Sequence, residues 1–311
     1  MFGMKWHSLV SETQFAVHQS VQGISELAAA VHADQLFDAG RNDEVRHLLN
    51  NGLFAYTTGL ERLAKLTLSA VHYRTHGDFP NVRKFGHRIS DLLEGLRQVD
   101  SSQYSHDGYS MIYVRRGLPT SFTAGHLSLL EDYAQGSGRY EFLDSLSKSG
   151  LEPDLYTRWM GLCQLTQPTS MVTQMCGLPR AIASSLYTAS RMLESAADLG
   201  TFDWLIEPYI DNCLNEYLYD VSVEVALIYY EVSRWVAAHL SAVSEQIFYH
   251  DPRPVSAYPL FPLLGEVTDP RLLLSRDMFV QLNILKLNDI DVTIEGICDV
   301  EAAFDSLDRR G

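Results

Sequence analysis

Apolar residues recur every three or four positions through most of the first 250 residues, which is the period of an α-helix. Residues 52–74 give the clearest example, because one face at 100° per residue collects Leu53, Leu60, Ala64, Thr67 and Val71. The same spacing predicts helices over residues 8–38, 81–97, 121–134, 138–147, 154–166, 179–199 and about 203–249. We therefore predict an all-α fold.

Several residues predict where these helices begin or end. Gly23 is expected to interrupt the first helix, and Asn42 to cap a short helix that ends at Leu49. Gly77 is a C-terminal stop for the helix over 52–74, and Pro80 lies near the start of the next helix. The segment MIYVRR, residues 111–116, is expected to be a short strand or extended chain.

The C-terminal sixty residues give a less uniform pattern. The segment DPRPVSAYPLFPLLG has four prolines, which predict a loop or an extended strap. Beyond it, FVQLNILKL is typical of a buried helix and DIDVTIEG alternates like a strand. We divide the chain into a helical unit over residues 1–150 and a helical C-terminal half over 151–311, and leave open whether the two pack as one body.

The formal net charge of −15 limits the functions that the chain can perform. It argues against a broad nucleic-acid or anionic-membrane surface, although a local basic site remains compatible with it. The four cysteines form no CxxC pair and are expected to be free thiols in a reducing compartment. No apolar run is long enough to span a membrane and the N-terminus has no signal-peptide core, so we expect a cytoplasmic protein.

Positive charge is concentrated in residues 62–88, which we call the cationic island. Six basic side chains and one acidic side chain, Asp78, give it a local charge of +5. If residues 81–97 form one helix, Arg83 and His87 lie one turn apart on the face opposite its apolar residues. On the preceding helix, Glu61 and Lys65 belong to a polar stripe beside the apolar face. The basic residues of the island are Arg62, Lys65, Arg74, Arg83, Lys84 and Arg88.

Two interpretations of the island remain open. A histidine and an arginine on one face can transfer a proton and hold a phosphate, as RNA cleavage through the 2′-hydroxyl requires. The catalytic pair would then be Arg83 and His87, with Glu61, Lys65, Lys84 and Arg88 as ligand-binding residues. Alternatively, the island is a solvated face, and Glu61–Lys65 is an i,i+4 ion pair worth about 0.3 kcal/mol.

Residues 201–250 have the opposite charge pattern, with eight acidic residues and one basic residue, Arg234. This acidic zone is expected to be a solvated face, or to dock on the cationic island within the chain or across a dimer. It contains no Glu-x-x-His pair, so we predict no carboxylate-bridged metal site. The chain also has no P-loop, GxGxxG or GxSxG motif, and we predict no cofactor.

Three segments resemble the HEPN superfamily, in particular its uncharacterised bacterial HEPN-like members. They are YTTGLERLAKLTL (56–68), FPNVRKFGHRISDLL (79–93) and GRYEFLDSL (138–146), and the similarity extends over roughly residues 45–147. The most specific feature is a Gly-x-Glu-Arg-x-x-Lys helix followed by a Gly-His segment. The resemblance implies an all-helical unit that is often dimeric, and we expect a homodimer.

The same resemblance implies two functions. Many HEPN proteins are metal-independent ribonucleases of toxin, antiphage-defence and RNA-processing systems, whereas others have lost catalysis and bind or scaffold. Active members have an arginine, four to six residues, and then a histidine, but only three residues separate Arg83 from His87. The segments RNDEVRH (41–47) and RWVAAH (234–239) fit the wider spacing as often as chance predicts, and we expect RWVAAH to be core packing. The spacing therefore favours a non-catalytic module that binds RNA, a nucleotide or a protein partner over a ribonuclease.

Overall fold

The structure is a computed structural model that describes residues 4–36, 42–104, 110–136, 154–166 and 203–250. These residues form seven α-helices and no strand, which confirms the all-α prediction. Two 3-10 turns, Val82–Phe85 and Ser101–Gln103, flank the third helix. The helices are α1 (Met4–Leu36), α2 (Asn42–His76), α3 (Ile89–Arg97), α4 (Ser110–Arg116), α5 (Ala124–Ala134), α6 (Leu155–Leu165) and α7 (Asp203–His250). None of the helices described is long and apolar enough to cross a membrane.

The two long N-terminal helices pack as an antiparallel pair, and glycines set their separation. A Cβ on Gly23 would lie 2.4 Å from the backbone nitrogen of Tyr56, and a Cβ on Gly59 would lie 2.5 Å from that of Ser20. The prediction that Gly23 interrupts α1 is therefore wrong. Its missing side chain lets the two backbones approach closely while the helix continues through it.

The second helix also differs from its prediction, because the segments expected at 42–49 and 52–74 form one continuous helix. The junction stays helical through hydrogen bonds from its own side chains. Asn50 Nδ2 donates to the carbonyl of Arg46 at 2.9 Å, and Asn51 Nδ2 lies 2.9 Å from His47 Nε2. These i,i+4 contacts satisfy the amides without diverting them to the backbone in a non-helical turn.

The long helix predicted near residues 203–249 is confirmed as α7. The prediction of a solvated acidic face is wrong for the second half of α7, because almost every described side chain between 221 and 247 is buried. Of the eight acids, Glu224 and Glu231 have described side chains and both are half-buried, while the other six lie outside the described side chains. A helix that buries side chains on most of its circumference belongs in a core.

One hydrophobic core joins side chains of all seven helices, including residues on both sides of position 150. At its centre, the Tyr56 hydroxyl donates to the carbonyl of Tyr229 at 2.8 Å, and the two rings meet edge to face with centroids 4.9 Å apart. Burial raises the pKa of both tyrosines, so both hydroxyls stay neutral. The division at residue 150 itself lies outside the described residues and stays a prediction.

The segment MIYVRR is helical, not extended, because it forms α4 against α7. Met111 and Val114 enter the core, and the Arg234 guanidinium of α7 lies 3.2 Å from the centroid of the Tyr113 ring. Arg234 and His239 are both buried, so the expectation that RWVAAH is core packing is confirmed. Arg41 and the helices predicted at 138–147 and 179–199 lie outside the described residues, as does the tail from residue 251.

Candidate functional site

The chain between α2 and α3 does not form the single helix predicted over residues 81–97. The Asn81 side chain accepts a hydrogen bond from the Arg83 amide at 3.1 Å and so starts the 3-10 turn Val82–Phe85. Gly86 ends this turn with φ of 71°, a conformation that favours glycine, and α3 begins only at Ile89. Arg83 and His87 therefore do not lie one turn apart on a helical face, and this prediction is wrong.

Residues 82–88 form an exposed run that we call the cationic segment. Arg83, Lys84, His87 and Arg88 are all exposed, with 76% of the His87 side chain and 60% of the Arg88 side chain open to solvent. The segment is held at its end by Ile89, which is buried in the core. Among the residues that the structure describes, the side chains of Arg83 and Lys84 have no ion-pair or hydrogen-bond partner, so both are open to an anionic ligand.

Glu61 connects the cationic segment to its own helix, α2. Its Oε1 atom accepts a hydrogen bond from Lys65 Nζ at 2.8 Å and lies 2.9 Å from His87 Nδ1. The predicted Glu61–Lys65 pair is therefore present, with Glu61 20% and Lys65 13% exposed. Because Nδ1 of His87 faces this carboxylate, Nε2 is the ring nitrogen available to a ligand or a proton.

Arg88 is anchored more loosely than His87. Its Nε atom lies 3.9 Å from Glu131 Oε1, and its Nη1 atom lies 3.8 Å from Asp91 Oδ2. Glu131 of α5 mainly serves α3, because its Oε1 accepts from the amide of Ser90 at 3.0 Å and from the Ser90 hydroxyl. It thereby satisfies an amide in the first turn of α3 that has no partner within the helix. Sequence reasoning missed Glu131, since no local pattern connects positions 41 residues apart.

The remaining basic side chains of the island have separate local partners. Arg62 Nη1 donates to both carboxylate oxygens of Glu12 at 2.9 and 3.1 Å, and its guanidinium lies 4.6 Å from the centroid of the Phe15 ring. Arg74 lies over the Tyr104 ring at 5.6 Å. The ion-pair partners described for the island thus come from α1, α2, α3 and α5. Docking of the acidic zone on the island stays a prediction, since six of its eight acids lie outside the described side chains.

The site combines exposed basic side chains with one imidazole that faces a carboxylate. Within the described ranges, no group of three or more histidine, cysteine, aspartate or glutamate side chains could hold a metal ion.

No family model, no curated protein and no solved structure matches this chain. Membership of the HEPN superfamily therefore stays a prediction based on segments 56–68, 79–93 and 138–146, the last of which lies outside the described residues.

Proposed function

We propose that this protein is a non-catalytic HEPN-like module that binds RNA or a nucleotide through the cationic segment. The observation that supports this proposal best is the exposure of Arg83, Lys84, His87 and Arg88 within six consecutive residues of a chain with a net charge of −15. Exposed guanidinium and ammonium groups bind phosphate by charge-assisted hydrogen bonds. The exposed side chains of Arg83 and Lys84 are therefore the main phosphate contacts, and Arg88 extends the same surface towards α5.

Glu61 and Lys65 have a supporting part in this proposal. Both side chains are largely buried, so they contact a strand of RNA less readily than the cationic segment does. Their common role is to fix His87, because the carboxylate of Glu61 faces Nδ1 of the imidazole. The imidazole then presents its other nitrogen to a phosphate or a base edge.

A second candidate function is RNA cleavage, as in the ribonucleases of the superfamily. The contact between His87 and Glu61 favours it, because a carboxylate that orients an imidazole is a common arrangement for a general base. Against it stands the break at Gly86, which removes Arg83 and His87 from a common helical face. Binding without cleavage is therefore the function that we propose first.

We also propose that the protein acts as a homodimer in the cytoplasm. The dimer rests on the resemblance to the HEPN superfamily, whose members often pair through helices beside the motif. Pairing would place two cationic segments in one assembly and extend the surface for a polyanion. Light scattering at micromolar protein concentration and low salt should give twice the monomer mass of 35.0 kDa, and a monomer under these conditions would refute this part of the proposal.

The direct test is a titration of fluorescently labelled single-stranded RNA and of nucleotides with the wild-type protein and with Lys84→Ala. We expect Lys84→Ala to weaken binding about tenfold, since a hydrogen bond to a charged group contributes about 1.5–3 kcal/mol. Parallel incubation of total RNA with wild type and His87→Ala tests cleavage. Cleavage that disappears in His87→Ala would establish the second candidate. Absence of binding to RNA and nucleotides would leave a protein partner as the ligand of the segment.

A further inference from the structure

A cavity of about 650 Å³ lies between the N-terminal half of α1, the middle of α2 and the chain that precedes the cationic segment. Its walls are mainly apolar, with Leu9 on α1, Leu66 on α2, and Phe79 and Val82 on the connecting chain. Phe79 is held in place by the Tyr73 ring, which stacks on it with centroids 4.7 Å apart. This volume is within the range of about 300–1,000 Å³ that small-molecule sites have.

Two cations line the same cavity, on successive turns of α2. They are Arg62 and Lys65. The Lys65 ammonium has three N–H donors, of which Glu61 takes one, and among the described residues no other side chain takes the remaining two. The Lys65 side chain is only 13% exposed, so a ligand that accepts from its ammonium would do so in a partly desolvated site.

The balance of charge at this end of the cavity favours an anion. Glu12 neutralises Arg62, but Glu61 divides a single oxygen between Lys65 and His87. Of the charged side chains that line the cavity, Arg62 and Lys65 are cationic and Glu12 is anionic, so the lining has a net charge of +1. An anionic group beside Lys65 would complete this balance.

From this arrangement we propose that the cavity binds an amphiphile with an apolar chain and a single anionic head group. The head group accepts hydrogen bonds from Lys65 and from the donors of Arg62 that Glu12 does not use. The chain lies against Leu66, Phe79 and Val82, where the burial of its apolar surface favours binding. RNA does not suit this cavity, because a sugar-phosphate strand has no long apolar body to bury.

The proposal is tested on the full chain with dodecanoate, dodecyl phosphate and dodecanol in a calorimeter. The two anions are titrated below their critical micelle concentrations and the alcohol below its solubility limit. The two anions distinguish a carboxylate head group from a phosphate head group, and the alcohol has the same chain without charge. We expect saturable binding of at least one anion and binding of the alcohol about ten- to hundredfold weaker, which corresponds to one charge-assisted hydrogen bond. Equal binding of anions and alcohol, or no saturable binding of any of the three, would overturn the proposal.

Three variants locate the bound anion. Lys65→Met keeps the apolar stem and removes the charge, and it should weaken anion binding about tenfold while leaving alcohol binding unchanged. Val82→Asp adds a negative charge at an exposed position on the cavity wall and should also weaken anion binding, so it decides the question if Lys65→Met does not fold. Arg97→Met is the control, because Arg97 is an exposed cation of α3 that does not line the cavity. Anion affinity unchanged in Val82→Asp, or reduced as strongly in Arg97→Met, would show that the anion binds elsewhere.

Discussion

His87 Nδ1 lies 2.9 Å from Glu61 Oε1, across the boundary between the exposed cationic segment and the half-buried polar stripe of α2. The same carboxylate oxygen accepts from Lys65 Nζ at 2.8 Å. One acidic side chain therefore determines the position of a solvent-exposed imidazole and of a largely buried ammonium. A ligand that hydrogen-bonds to His87 or to Lys65 will therefore change the hydrogen bonding of the other side chain.

This shared carboxylate should contribute measurably to stability. Glu61→Gln leaves the Lys65 ammonium, 13% exposed, without a charged partner, and should lower the free energy of unfolding by about 1–2 kcal/mol. Urea denaturation with circular dichroism measures the change. The matched control is Glu94→Gln, whose pair with Arg97 is more than half exposed and should contribute less than about 0.5 kcal/mol. Equal effects of the two variants would contradict a structural role for Glu61.

Close packing of α1 on α2 predicts a strong effect at Gly23. Gly23→Ala would place a Cβ 2.4 Å from the backbone nitrogen of Tyr56, so the helices must move apart. Overpacking of this kind should lower the free energy of unfolding by about 1–3 kcal/mol in urea denaturation.

A second glycine provides the control for Gly23. Gly161 lies inside α6, and a Cβ there would meet nothing within 4 Å. Gly161→Ala should therefore stabilise the protein by about 0.5–1 kcal/mol, through helix propensity alone. A neutral or stabilising Gly23→Ala would show that α1 and α2 are not as close as described.

A buried histidine should make stability depend on pH. Burial lowers the pKa of His126 to about 4, and its Nδ1 accepts from the Thr123 amide at 3.2 Å to cap α5. Below the unfolded pKa of about 6.5, the unfolded chain binds a proton that the folded chain does not. The free energy of unfolding therefore decreases as pH falls from about 6.5 towards 4.

His126→Gln removes this titration and keeps an acceptor for the cap. We expect the loss of unfolding free energy between pH 7 and pH 5 to be about 2 kcal/mol smaller in His126→Gln than in wild type. Urea denaturation at the two pH values measures this difference. A pH dependence identical in wild type and His126→Gln would refute the buried, neutral imidazole.

The sequence was sufficient for most of the described helices, but not for α4 or for the way in which the helices are interrupted. The periodic apolar positions of α2 and α3 are buried as expected, including Leu53, Leu60 and Leu92. The break at Gly86 was missed because Val82 and Phe85 continue the apolar spacing of α3 along the sequence, although no residue of the 3-10 turn is buried. Gly23 was assigned to a break because sequence alone does not distinguish a glycine that ends a helix from one that allows close packing.

At the site, residue spacing predicted only the contact between residues that are close in sequence. The Glu61–Lys65 pair follows from four-residue spacing on a helix and is present. The contact of Glu61 with His87 joins positions 26 residues apart and depends on how the chain turns after α2. The support of α3 by Glu131 depends likewise on the packing of α5. Such contacts are set by tertiary structure, which periodicity does not encode.

The proposed function requires the cationic segment to bind the phosphates of RNA. The most direct measurement is the salt dependence of RNA affinity for wild type, for the double variant Arg83→Ala/Lys84→Ala, and for Arg97→Ala. Arg97 is an exposed cation of α3 outside the segment and pairs with Glu94. For single strands, each phosphate contact contributes about −0.7 to the slope of log affinity against log salt.

We expect the double variant to bind RNA about a hundredfold or more weakly than wild type, with a slope about 1.4 smaller in magnitude. The slope and affinity of Arg97→Ala should equal those of wild type. The free energies of unfolding of the three proteins, measured in urea, should agree within about 0.5 kcal/mol. An unchanged slope in the double variant would show that Arg83 and Lys84 do not contact the phosphates. So would a loss of stability in the double variant without RNA binding by any of the three proteins, because the segment would then be a structural clamp.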